Sequence, residues 1–157
     1  MAVTCGDPAG IGPEVIAAAL REEAVAAEKV TLIGPHAWAQ ALSSEFGTDY
    51  EGIGPKAFSV QPGQPTVAGA ELALTAMQAA AHGCIAGRYR AVVTGPVSKH
   101  WLQKIGYRHP GQTEFFAAVW GGSPTMAFAG SRLRVVLATW HIPLRDVSDA
   151  LTAEALE

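Results

Sequence analysis

Short β-branched runs alternating with helical stretches are the feature that most limits how this chain can fold. "AVTCG" (2–6), "KVTLIG" (29–34) and "YRAVVTGP" (89–96) are apolar, of strand length, and closed by Gly or Gly-Pro. Between the first two lies "GIGPEVIAAALREEAV" (10–25), where Pro13 suits a first helical turn and Glu14 is favourable near a helix N-terminus. "HAWAQALSSEF" (36–46) reads as a second helix. A third and longest is expected over 67–85, where Val67, Ala70, Leu74, Met77 and Ala81 recur at three and four and so serve core packing. Residues 47–66 hold four Gly and three Pro and read as loop, with at most one short strand near Phe58-Ser59-Val60. "SKHWLQKIG" and "TEFFAAVWGG" read as short helices ending at Gly, and "TMAFAGSRLRVVLATW" as two strands joined through Gly130-Ser131. Strands separated by helices predict an α/β fold with a mostly parallel sheet, to which that hairpin adds an antiparallel pair.

Composition narrows the functional classes. The 157 residues are 49% hydrophobic and 16% charged, enough for one sizeable core and unlike a disordered tail. A net charge of -3 without basic blocks argues against nucleic acid and against a polybasic membrane patch. No apolar run reaches the roughly 18 residues that span a bilayer, and the amino terminus lacks the order of a signal peptide. Cys5 and Cys84 form no CxxC pair and read as free thiols of a cytoplasmic protein. The final "DVSDALTAEALE" reads as an opening helix, capped by Asp149 or Thr152 and lacking a stop signal, so the chain is expected to end within an element.

Four stretches could carry chemistry. "GDPAGIGPE" (6–14) is a Gly-rich turn between strand and helix, able to present backbone N–H groups to an anion, yet it is neither GxGxxG nor GxxxxGK[ST]. Asp7 within it either lines a site or caps the turn. "TGPVSKH" (94–100) repeats the geometry and sets Ser98 and Lys99 beyond the carboxyl end of a strand, where open α/β sheets bind ligands. Ser98 as a helix cap and Lys99 as a solvated residue is the structural alternative. In "HPGQTEFF" (109–116) Thr113 is a natural N-cap, and the Gln112 amide and Thr113 hydroxyl could also bind polar substrate groups. In "ATWHIPLRD" (138–146) an apolar strand, 135–138, runs into His141 with Arg145 and Asp146 close by, but no HxH or HExxH partner is near. The other histidines, His36, His82, His100 and His109, show no pairing.

Taken together, "GDPAGIGPEV", "VVTGPVSKHWLQKIG", "PGQTEFFA" and "LATWHIPLRDV" resemble, in order and wording, the amino-terminal half of the 4-hydroxythreonine-4-phosphate dehydrogenases of pyridoxal 5′-phosphate biosynthesis. The resemblance covers nearly the whole chain and is weakest over 35–65. It implies a three-layer α/β/α architecture like that of the isocitrate and isopropylmalate dehydrogenases, and a homodimer with active sites at the subunit interface. It also implies NAD as cofactor and a divalent metal, Zn, Mg or Co. The substrate would be a small phosphorylated hydroxy amino acid, oxidised at its secondary alcohol to a β-keto acid that loses carbon dioxide. By this resemblance His141 matches the first of three histidine metal ligands, and Gln112 and Thr113 the pair that contacts substrate; Asp7 and Lys99, from their positions beyond strand ends, are the further substrate-binding and catalytic candidates.

Two departures follow. The family pattern has Gly-His-Thr-Glu where this chain has Gly111-Gln112-Thr113-Glu114, and Gln cannot carry a proton or a positive charge. That opens the way to weaker phosphate attraction, a lost turnover, or another hydroxy acid such as a cyclic diol carboxylate. The remaining histidine ligands and the basic substrate-holding residues belong to a carboxyl-terminal half absent here. Residues 1–157 are therefore expected to be the amino-terminal portion of a two-domain dehydrogenase, neither binding metal tightly nor turning over alone. A non-catalytic folding or association module is the alternative from outside the enzymes.

Overall fold

The computed structural model describes residues 1–22 and 26–153. The chain divides into two units, Met1–Trp120 and Gly121–Glu157. The first unit begins with β1 (Ala2–Thr4), α1 (Gly12–Arg21), β2 (Thr31–Pro35), α2 (His36–Phe46) and β3 (Asp49–Ile53). It continues with α3 (Val67–Ile85), β4 (Val92–Thr94), α4 (Lys99–Lys104) and α5 (Gln112–Trp120). The four strands form one parallel sheet in the order β3-β2-β1-β4.

Strand alternation explains the layers. Val3 and Leu32, adjacent in register, point to one face and pack with Ala17 and Leu20 of α1 and with Ala39 and Leu42 of α2. Ala2 and Ile33 point to the other face, onto Ala76 and Ala80 of α3. The small alanines let α3 lie close to the sheet, while its Met77 and Ala81 meet Leu102 of α4 and Phe115 and Phe116 of α5. The unit is thus a three-layer α/β/α arrangement, as the family resemblance implies. Successive connections through α1 and α2 move outward from β1, and α3 then returns the chain across the opposite face to β4, consistent with right-handed crossovers.

Several boundaries differ from expectation. α3 spans the predicted residues, held at its start by the Thr66 hydroxyl accepting from the Gly69 N–H at 3.0 Å. The stretch near Phe58-Ser59-Val60 forms no strand; the third strand is Asp49–Ile53 instead, paired in register with β2 from Thr31↔Asp49 to Pro35↔Ile53. Its sequence, DYEGI, looks unlike a strand because both Asp49 and Tyr50 are exposed at a sheet edge. Of the expected helix 10–25, residues 23–25 lie outside the described residues.

The second unit holds β5 (Ala127–Ala129), β6 (Arg134–Val136) and α6 (Val147–Ala150). The hairpin is antiparallel as expected, but it makes a two-stranded sheet of its own. Its register, Ala129↔Arg134 with the Gly130 N–H donating to the Leu133 carbonyl at 2.9 Å, centres the turn on Ser131-Arg132, one residue beyond Gly130-Ser131. Asp149 lies inside α6 instead of capping it, and of the helix expected to run on to the last residue, 154–157 lie outside the described residues.

Candidate active site

The strand order reverses between β1 and β4, which makes the carboxyl ends of these two strands the switch point where open α/β sheets receive ligands. The turns that follow them are locked together by backbone. The Gly95 N–H donates to the Thr4 carbonyl at 2.9 Å, and the Asp7 N–H to the Pro96 carbonyl at 2.8 Å. Gly6 adopts φ +71, and a Cβ there would stand 2.2 Å from the Pro96 oxygen; one on Gly95 would stand 2.4 Å from the Cys5 oxygen. Only glycine permits this approach and, at Gly6, this conformation. The contact pins the two turns to one another at the switch point.

Asp7 is buried, and its Oδ1 accepts from the Ala9 N–H at 2.9 Å, so it caps the turn. A Cβ built on Gly69 would lie 3.9 Å from that same oxygen, which puts the carboxylate beside the N-terminus of α3, where the helix dipole favours negative charge. Gln112, the first residue of α5, reaches the same region: its Nε2 donates to the Gly95 carbonyl at 3.3 Å, and its Oε1 is buried without a partner. The Asp7 backbone N–H and the Gln112 amide thus both bond carbonyls of the 95–96 segment, while the Asp7 carboxylate holds its own turn.

Thr113 does not cap α5. The helix starts one residue earlier, the Phe115 N–H donates to the Gly111 carbonyl at 3.3 Å, and Thr113 is exposed on the first turn. Tyr107 was not indicated by any local pattern, yet its hydroxyl donates to the Gly111 carbonyl at 2.8 Å and steadies the start of α5. Only the fold reveals such a contact. Ser98 is the N-cap residue of α4 without a side-chain cap bond, and Lys99 is exposed with no ion pair among the described residues.

His141, in the second unit, does not end a strand. β6 stops at Val136, and His141 sits in a bend at φ +54, the single non-glycine residue with positive φ among the described residues. A left-handed conformation costs an L-residue roughly 1–2 kcal/mol. The imidazole is exposed, and Arg145 and Asp146 pair with each other at 3.6 Å. Among the described residues no group of three or more His, Cys, Asp or Glu could hold a metal ion. One imidazole does not meet the donor set of a divalent cation, so the described residues do not by themselves fit the metal. Nor does the 6–12 turn, packed on its own backbone, by itself make a dinucleotide site.

This α/β arrangement is shared with a class of dehydrogenases. The chain matches 4-hydroxythreonine-4-phosphate dehydrogenase from Klebsiella pneumoniae with a TM-score of 0.81 and 26% identity, over 99% of this chain and 54% of that one. It shares its fold with a terephthalate 1,2-cis-dihydrodiol dehydrogenase from Burkholderia xenovorans LB400, at a TM-score of 0.71 and 24% identity over 99% of this chain and 52% of that one. Residues 8–157 match the family model described as pyridoxal phosphate biosynthetic protein PdxA, and the chain belongs to that family. It is 37% identical to 4-hydroxythreonine-4-phosphate dehydrogenase of Zymomonas mobilis over 99% of this chain and 52% of the relative. Its identity to that of Pseudomonas putida is 36%, over 99% of this chain and 54% of the relative. The chain thus spans about half the length of the curated relatives it matches.

Proposed function

We propose that this chain supplies the amino-terminal half of a cytoplasmic, homodimeric dehydrogenase that oxidises and decarboxylates 4-phosphohydroxy-L-threonine with NAD and a divalent metal, in pyridoxal 5′-phosphate biosynthesis. The observation that carries the reading is the bonding of the Asp7 N–H and the Gln112 amide to the carbonyls of Gly95-Pro96 at the switch point, in a member of the PdxA family. The metal would make the substrate hydroxyl easier to deprotonate and stabilise the enolate left by decarboxylation. This chain's own parts are positional. Gln112 and Thr113 orient the substrate's polar groups, Lys99 offers a positive charge to an anion, and Asp7 holds the turn that shapes the site floor. His141 is offered as one ligand of a metal site completed outside this chain, and its left-handed backbone supports that reading, since strain of this kind clusters at functional sites.

The test is reconstitution. This chain, co-produced with the carboxyl-terminal half of the Pseudomonas putida relative, is expected to form NADH from the phosphorylated substrate with added Zn, Mg or Co. His141→Ala should lower bound metal and turnover together by at least tenfold. An assembled pair whose metal content His141→Ala leaves unchanged would remove the ligand assignment.

A specific observation favours a second reading, oxidation of a non-phosphorylated hydroxy acid such as a cyclic diol carboxylate. Gln112 carries no positive charge with which to attract a phosphate, and its Nε2 already donates to the Gly95 carbonyl. Faster NADH formation from such diols than from the phosphorylated substrate would select it.

A further inference from the structure

We infer that Tyr107 is a positioning residue of the proposed site. Through the Gly111 carbonyl it ties the end of α4 to the start of α5, and so sets Lys99 on one helix against Gln112 and Thr113 on the other. Tyr107 falls between the sequence stretches that could carry chemistry, which end at His100 and resume at His109.

The backbone of Tyr107 belongs to α4. Gly106 turns with φ +86, and the Tyr107 N–H then donates to the Leu102 carbonyl at 3.1 Å, closing the helix that starts at Lys99. The side chain belongs to α5. Its hydroxyl donates to the Gly111 carbonyl at 2.8 Å, while the Phe115 N–H reaches the same oxygen at 3.3 Å. A carbonyl oxygen has two lone pairs, so it accepts both, and the Tyr107 bond is the shorter. The next residue is Gln112, whose Nε2 donates to the Gly95 carbonyl at 3.3 Å. The start of α5 is therefore tied to the chain after β4 twice, by Gln112 directly and by Tyr107 through α4.

Packing alone does not call for the hydroxyl. Tyr107 is buried in a cluster with Leu102, Met77, Phe115 and Phe116, and the His109 ring stands at an angle to those of Tyr107 and Phe115, with centroids 5.2 and 5.5 Å away. Phenylalanine would keep all of these contacts. A buried hydroxyl takes some acceptor, and here it takes the carbonyl that opens the helix bearing Gln112 and Thr113. Burial raises the Tyr107 pKa above its ordinary 10.0, with the Glu114 carboxylate adding to the effect, so the group remains a donor at neutral pH. A Cβ on Gly111 would stand 2.8 Å from the Glu114 Oε2, which shows that this carboxylate folds back over the same turn.

The inference rests on the reading of Gln112 and Thr113 as substrate-facing, so one arm of its test measures position without turnover. In the isotope-labelled chain, Tyr107→Phe should move the Gln112 Nε2 resonances toward those of an exposed glutamine. It should also speed exchange of the Phe115 amide at least fivefold, while thermal melts show the variant folded. Ser43→Ala removes a hydroxyl bond to the Thr48 carbonyl, at the far end of α2, and should change neither signal. In the pair reconstituted with the carboxyl-terminal half of the Pseudomonas putida relative, Tyr107→Phe should raise KM for the substrate at least fivefold. KM for NAD should stay within twofold, a split that a general loss of stability does not produce. The inference is overturned if Tyr107→Phe leaves the Gln112 and Phe115 signals in place, or if Ser43→Ala moves them equally. A substrate KM that does not rise, or that rises together with that for NAD, overturns it as well. An assembled pair that forms no NADH counts against the proposed reaction, and the signals of the chain alone then decide the positioning role.

Discussion

Burial pushes the Cys5 thiol from its ordinary 9.0 up to about 12, with the Asp7 carboxylate adding to the effect and the backbone hydrogen bond opposing it. Between these values the unfolded chain releases the proton while the folded chain keeps it. The stability gained by holding the thiol neutral is complete below pH 9 and is lost as pH rises toward 12. Urea unfolding measured from pH 8 to 11 should therefore show a falling midpoint, and Cys5→Ala should flatten that slope whatever it does to stability at pH 8. Cys84, also raised by burial but only partly enclosed, should be alkylated well before Cys5 in the native protein. At His141 the expected signs oppose each other: His141→Gly relieves the left-handed backbone and should not lower the melting temperature, whereas the reconstituted enzyme should lose metal.

Elements were legible where the pattern was local. The stripe from Val67 to Ala81 predicts the extent of α3, and its Ala70, Met77 and Ala81 are buried with residues of α4 and α5; Val67 is exposed, and the alanines that meet the sheet, Ala76 and Ala80, lie off the stripe. β3 was not legible, since its pairing comes from β2 and from α2 packed beside it, and DYEGI keeps its charges at an open edge. In the site, the glycines of "GDPAG" and "TGP" announced tight turns, but nothing local announced that Gly6 and Gly95 touch backbone to backbone across two strands. Thr113 misled because Thr is a good cap, whereas Gly111, braced by Tyr107, supplies the first acceptor. Two substitutions test this level by chemical denaturation. Gly6→Ala meets both a positive φ and the Pro96 oxygen and should cost about 2–4 kcal/mol. Thr66→Ala removes the cap of α3 and should cost about 1 kcal/mol.

Across the whole molecule, stability is unevenly distributed. Every buried residue described lies in Met1–Trp120, and none of the described residues of 121–153 is buried. A lone two-stranded hairpin is at best marginally stable in water. Deleting 121–157 should leave the thermal midpoint of the remaining unit within a few degrees, and amides of β5 and β6 should exchange with deuterium far faster than those of β1 and β2. The sheet order carries a consequence for synthesis. β1 meets β2 after a short wait, but its other side waits for β4, since Ala2 pairs with Val92, 90 residues later. On the ribosome the central strand must therefore hold one side unpaired until α3 and β4 have emerged. Slowing translation before β4 prolongs the interval in which that side can be captured by the wrong strand.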